Sequence, residues 1–327
     1  MAVKQLLPGL ALLSLGAVCS RAIGSAAGVT ELLVAIGLGA AVANGPGVPE
    51  RFRPGVETHG FWLAAGIVLM GASLSLSTVR EAGLVVLAVI ASVTGLTIVV
   101  VEALSRGVFG LGEKLGSLLA AGAGICGVSA VVAVAGSIRA REDQIAYAAA
   151  TVLLFDAITL VVYPIAGELL DLSDIVFGIW AGVSMFSTGP VVAVGFAYSE
   201  AAGQWATLTK LSRNALIGLI VLIYAAYYTR SGTDSRLSVR TLWEEFPTFV
   251  LGFLALAVVG SLGVFTSAHR AAIDTAYSWL FLIAFVGLGT EIQLQELRTT
   301  GLQPIVVVLI SLAIGSSLSL ALLTVLF

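Results

Sequence analysis

Asp156 lies about eleven residues into an apolar run, roughly 16 Å from its start. A carboxylate at that depth in a bilayer is costly unless something neutralises or uses it. Arg213 lies about eight residues into a later run, roughly 12 Å deep from the opposite face. Lys210 precedes it by one helical turn on the same face. Such groups could bind a proton or Na⁺ (Asp156) and balance the charge of an anion (Lys210, Arg213). The bland alternative is a buried Asp156–Arg213 ion pair that only joins two spans.

Each of these charges follows a glycine-rich stretch. Residues 121–130 read Ala-Gly-Ala-Gly-Ile-Cys-Gly-Val-Ser-Ala, and residues 181–190 read Ala-Gly-Val-Ser-Met-Phe-Ser-Thr-Gly-Pro. The segments running on from them repeat each other: Val131 to Val134 match Val191 to Val194, and the same offset pairs Gln144 with Gln204 and Ala146 with Ala206. Duplicated, interrupted apolar segments point to the binding site of a secondary transporter. Glycines 122, 124 and 127 let the first segment leave helical geometry, and Ser129 is placed to cap a restarting half-helix. In the second, Pro190 suits a first helical position, with Ser187 or Thr188 as cap. Each restart would aim unpaired N–H groups and a positive helix end at the middle of the membrane, which suits an anion. The candidate substrate site is therefore Gly127, Ser129, Ser187, Thr188, Gly189, Lys210 and Arg213, with Asp156 as the coupling residue. Small residues also serve plain helix packing, so the glycines alone do not decide between the two readings.

These residues need membrane spans to position them, and composition supplies them. Of 327 residues, 58% are hydrophobic and 11% charged, against about a quarter charged in a soluble domain; mean hydropathy is +1.06. Apolar segments fall at roughly 6–23, 28–44, 59–77, 82–103, 116–138, 145–166, 176–199, 205–228, 246–265, 272–290 and 302–326. The run from Leu6 reads as a first span, since Cys19-Ser20-Arg21 makes a poor cleavage site. A second repeat relates 71–84 to 289–302, matching Gly71, Leu76, Arg80, Gly83 and Leu84 with Gly289, Leu294, Arg298, Gly301 and Leu302. If the broken segments 116–138 and 176–199 are re-entrant hairpins, one enters from each side and the two are inverted; if both cross, they are parallel. The positive-inside rule favours hairpins, because Arg139 and Arg141 then join the basic majority on the cytoplasmic side. The acidic loop Glu168, Asp171, Asp174 then faces out. Glu31, Glu102 and Glu291 read as snorkelling span-end residues, and Trp62, Trp205 and Trp243 as belt residues.

Other chemistries find no support. His59 and His269 sit at span edges, Cys19 and Cys126 have no histidine nearby, and no nucleotide-binding loop follows a strand. No metal, organic cofactor, nucleic-acid partner or enzymatic activity is expected.

Several motifs, taken together, resemble those of the YeiH-type sulfate exporter family (UPF0324-like secondary transporters) over nearly the whole chain. They are Gly66-Ile-Val-Leu-Met-Gly71, Gly124-Ile-Cys-Gly-Val-Ser-Ala130, Tyr163-Pro164, Phe177-Gly-Ile-Trp-Ala-Gly182, Ser199-Glu-Ala-Ala-Gly203 and Ala206-Thr-Leu-Thr-Lys-Leu-Ser-Arg213. The resemblance implies a secondary transporter of a small inorganic or sulfonate-type anion. The chain departs from that family at Phe186-Ser187, where a polar–acidic pair is usual, and at Asp156, where Asn or Gly is usual.

The resulting expectation is an all-α polytopic membrane protein, an inverted-repeat secondary transporter with about nine spans plus two Gly-rich broken helical hairpins. Residues 1–327 form one transmembrane domain, with a transport core at 116–228, scaffold at 1–103 and 246–327, and a cytoplasmic linker at 229–245. A homodimer in the cell (plasma or inner) membrane, moving a sulfate-, sulfite- or sulfonate-like anion by an elevator with H⁺ or Na⁺ coupling, is the reading. A monovalent cation/proton antiporter and a channel are the alternatives.

Overall fold

A computed structural model of the chain describes residues 3–73, 76–230, 248–293, 295 and 301–327. The remaining part of the linker, with Arg236 and Arg240, lies outside the described residues, as do Trp243, Leu294 and Arg298. The described residues are helical or loop. Six helices among them are long and apolar enough to cross a membrane: Gln5–Ala27, Gly83–Val108, Glu142–Leu169, Glu200–Tyr228, Ser267–Thr290 and Leu302–Leu326. Five shorter apolar helices accompany them.

The chain divides into two compact units. One comprises Met1–Ala82 and Thr248–Leu294; the other comprises Gly83–Pro247 and Gln295–Phe327. The division differs from the expected one, because the spans at 83–103 and 302–326 belong with the broken segments and not with the scaffold.

In the first unit, α1 (Val3–Ala27), α2 (Glu31–Asn44), the short α3 (Arg53–Val56) and α4 (His59–Met70) are joined by α13 (Phe249–Ser261) and α14 (Ser267–Thr290). Helix α14 is the centre, packed on α1, α2 and α4. Polar span-end residues are paired here: Arg21 with Glu31 at 3.6 Å and His59 with Glu291 at 3.2 Å.

The second unit holds α5 (Leu76–Ala103) from Gly83 onward, α6 (Glu113–Ala121), α7 (Val128–Ile138), α8 (Glu142–Leu169), α9 (Asp174–Ser184), α10 (Thr188–Tyr198), α11 (Glu200–Asn214), α12 (Ile217–Arg230) and α15 (Leu302–Leu326). A π-turn at Leu104–Val108 ends α5, and another at Gly122–Cys126 ends α6. Glu102 does not reach for water as expected: it holds Arg106 at 2.6 Å and accepts a 2.7 Å bond from Ser117.

Each glycine-rich segment is two half-helices, α6–α7 and α9–α10, and each folds back on itself. At the open end of the first, Lys114 Nζ donates to the Arg139 carbonyl at 2.8 Å. At the open end of the second, Tyr198 OH donates to the Leu172 carbonyl at 2.6 Å, and the Tyr198 ring stacks on Phe177 at 3.8 Å. Helix α8 runs between them for 28 residues, about 42 Å at 1.5 Å per residue. The two open ends therefore lie at opposite ends of α8. Both tips meet near its middle, beside Asp156.

Local chemistry sets the ends of these pieces. Ser173 accepts the Val176 N–H to start α9, and Ser199 accepts the Ala202 N–H to start α11. Small residues bring α9 and α11 together: a side chain at Gly182 would meet Thr209 Cβ at 2.7 Å. Trp205, expected in an interfacial belt, is buried instead. A Cβ on Gly178 would lie 2.8 Å from Trp205 Cβ, so the bare glycine admits that side chain between the helices.

Candidate functional site

The break in the first hairpin is at Gly127, with φ 69° and ψ −137°. That conformation is open to glycine and strained for other residues. A Cβ there would also lie 3.0 Å from Ser187 Cβ and 3.2 Å from Ser187 Cα. Gly127 is thus where the tips of the two hairpins touch. The second break is an extended stretch: Met185 and Ser187 both have β-region dihedrals.

Ser187 takes the expected N-cap position of the second restart, Ser129 does not cap the first, and neither restart has a side-chain cap bond. Helix α7 begins at Val128 with Gly127 as N-cap, so Ser129 is already inside the first turn, and no side chain caps that end. Helix α10 begins at Thr188 with Ser187 as N-cap and no side-chain cap. Pro190, expected at the first helical position, lies two residues beyond it, still in the first turn, where its missing N–H is tolerated.

Lys210 and Arg213, fully buried, reach both breaks from α11. Lys210 Nζ donates to the carbonyls of Ile125 at 2.6 Å, Met185 at 3.2 Å and Phe186. Three acceptors match the three protons of an ammonium group. Arg213 donates through Nε to Gly124 at 2.7 Å, through Nη1 to Met185 at 2.7 Å, and through Nη2 to Ala123. These are the carbonyls that a helix leaves unpaired at its C-terminal end, the negative end of its dipole. One pair of cations therefore satisfies both interrupted helix ends and ties the tips together.

Asp156, 3% exposed, takes the complementary position. Its Oδ1 accepts the N–H of Ser187, the N-cap residue of α10, at 3.0 Å. Phe155, one residue before it, packs edge-on against Phe186 with ring centroids 6.1 Å apart. Asn214, which sequence reasoning passed over, donates through Nδ2 to Thr188 Oγ1 at 3.0 Å. Its Oδ1 is buried with no hydrogen-bond partner among the described residues. A second polar chain supports α9 from behind: Tyr163 OH donates to Ser184 Oγ at 2.9 Å, Ser184 donates to the Trp180 carbonyl, and Trp180 Nε1 donates to Ser316 Oγ at 3.0 Å.

The structure thus brings Gly127, Ser187, Thr188, Gly189, Lys210, Arg213 and Asp156 to one junction. Ser187 and Thr188 are half-buried there, and Ser129 lies on the first turn of α7 with its side chain exposed. Among the described residues no group of three or more His, Cys, Asp or Glu is arranged to hold a metal ion.

Apolar spans around two broken helices whose polar tips meet beside the middle of α8 define a multi-pass membrane protein with a buried polar junction. A family model described as "Conserved hypothetical protein 698" matches residues 8–308. Relatives carry the description "UPF0324 membrane protein". One from Nitratidesulfovibrio vulgaris is 33% identical over 83% of this chain and 77% of its own length. Another, from Listeria monocytogenes, is 32% identical over 89% of this chain and 86% of its own length. A third, from Clostridium tetani, is 31% identical over 75% and 74%. The chain belongs to this family of membrane proteins, in agreement with the resemblance its motifs carry. No solved structure matches it significantly.

Proposed function

We propose that the protein is a secondary active transporter of a small oxyanion of the sulfate, sulfite or sulfonate type. The observation that carries this reading is the junction itself: two interrupted helices whose tips meet at Gly127 and Ser187 around a set of buried charges. Those side chains are two cations against one carboxylate, and that positive excess favours an anion over a further cation as the transported species. Hydroxyls and backbone N–H groups of Ser129, Ser187, Thr188 and Gly189 at the two restarts are the contacts offered to an oxyanion. Lys210 has no proton left over for a ligand, so its part is to hold the breaks and set the local potential.

In this reading the two hairpins are re-entrant, one from each face of the membrane. The unit that carries them moves as a body in elevator-type alternating access, and the other unit is the scaffold through which a homodimer forms. Asp156 couples transport to an ion. Monovalent cation/proton antiport at Asp156 is the second reading, favoured by the carboxylate alone.

Counterflow in proteoliposomes separates the two. Vesicles loaded with unlabelled sulfate or methanesulfonate should accumulate the labelled anion transiently and saturably. Proton flux driven by Na⁺ or K⁺, with no anion requirement, would support the antiporter instead.

A further inference from the structure

The carboxylate of Asp156 is itself an anion bound at the amino end of α10, through the Ser187 N–H at 3.0 Å. Backbone donors at such an end are the natural seat of an oxyanion, yet here the chain's own side chain already occupies one of them. Beside it, Asn214 anchors Thr188, the first residue of α10, at 3.0 Å and keeps its Oδ1 buried with no hydrogen-bond partner among the described residues. That atom, in a residue 95% buried, is an unmet polar group at the same helix end. Whichever way the amide is turned, one of its two polar groups bonds Thr188 and the other stays available.

We propose that Asp156 and the transported anion take turns at this end of α10: the carboxylate closes it when the site is empty, and a proton on Asp156 releases it when the anion binds. This rests on the reading of the protein as an oxyanion transporter. Two negative charges at one half-helix end, in a buried site, repel each other, and protonating the carboxyl relieves that repulsion. The proton goes from the aqueous side onto the Asp156 carboxyl; the Ser187 N–H passes from carboxylate to anion; release reverses both. One proton then accompanies each anion, and the site's net charge is the same empty and loaded for a monovalent anion.

The titratable and charged groups around Asp156 are consistent with its being the group that changes state. Lys210 and Arg213 face it from α11, with Lys210 donating to three carbonyls as an ammonium does. The Cys126 thiol, from the first break, and Tyr163, from α8, lie beside Arg213, and Tyr163 donates to Ser184. Of the other helices packed on α8, α7, α10 and α15 bring no charged side chain, and α6 carries Glu113 and Lys114 in its first turn, at the open end of the first hairpin.

Isothermal titration of the full chain in detergent, with methanesulfonate and separately with sulfate, tests this. Neither probe changes charge between about pH 5 and 9, so any proton taken up belongs to the protein. Repeating the titration in buffers of different protonation enthalpy should give one proton bound per methanesulfonate. Affinity should fall roughly tenfold per pH unit once the carboxyl is ionised. Asp156→Asn should bind the anion with an affinity flat in pH and no proton uptake. Binding by wild type with no proton uptake overturns the exchange and leaves the transport reading standing. Failure of wild type to bind either anion at any pH overturns both. If the Asn variant does not fold, the wild-type proton count decides alone.

Discussion

At the residue scale, the buried cations matter less as ligands than as replacements for missing helix. Five carbonyls, of residues 123, 124, 125, 185 and 186, depend on Lys210 and Arg213. An unsatisfied buried polar group costs about 1–3 kcal/mol. Lys210→Met leaves two of its three acceptors, Ile125 and Phe186, unbonded by α11, so a loss of about 2–6 kcal/mol is expected on that basis. Thermal unfolding in detergent checks it; a melting temperature within a degree or two of wild type would show that the ammonium is dispensable to the breaks. The sequence announced Asp156, Lys210 and Arg213 because charges stand out in apolar runs. It could not assign their roles, since their partners are backbone atoms that carry no residue identity. Asn214 sat next to Arg213 in the same polar strip and went unread, being neutral. Ser129 misled for a simple reason: the positive φ needed at the turn selects glycine, so the cap falls at Gly127 and the serine lands two positions later, as the second residue of α7.

At the element scale, apolar length placed nearly every helix, and the glycine clusters located both interruptions. What hydropathy does not contain is the direction a half-helix takes after its break. Lys114 reaching Arg139 and Tyr198 reaching Leu172 supply that direction. Sidedness of labelling tests its membrane counterpart. In a background with Cys19 and Cys126 replaced by alanine, cysteines at Glu113 and Arg141 should react with an impermeant thiol reagent from one face. Cysteines at Leu170 and Glu200 should react from the other. Glu113 and Arg141 labelled from opposite faces would mean that the first segment crosses the membrane.

At the scale of the whole molecule, the division into two units was the least legible feature. Pairing of α15 with α9 of the second hairpin depends on contacts between segments more than a hundred residues apart, which no local pattern encodes. The repeat of 71–84 at 289–302 straddles two of the three unit boundaries, at 82/83 and 294/295. Each copy thus carries the chain from one unit into the other.

The most direct measurement joins site to motion: uptake of labelled methanesulfonate into proteoliposomes under an imposed inward-directed proton gradient, wild type beside Asp156→Asn. Wild type should concentrate the anion above its external level, while the Asn variant exchanges it without concentrating it. Equal accumulation by both proteins, or gradient dissipation by monovalent cations with no anion uptake at all, would contradict the account.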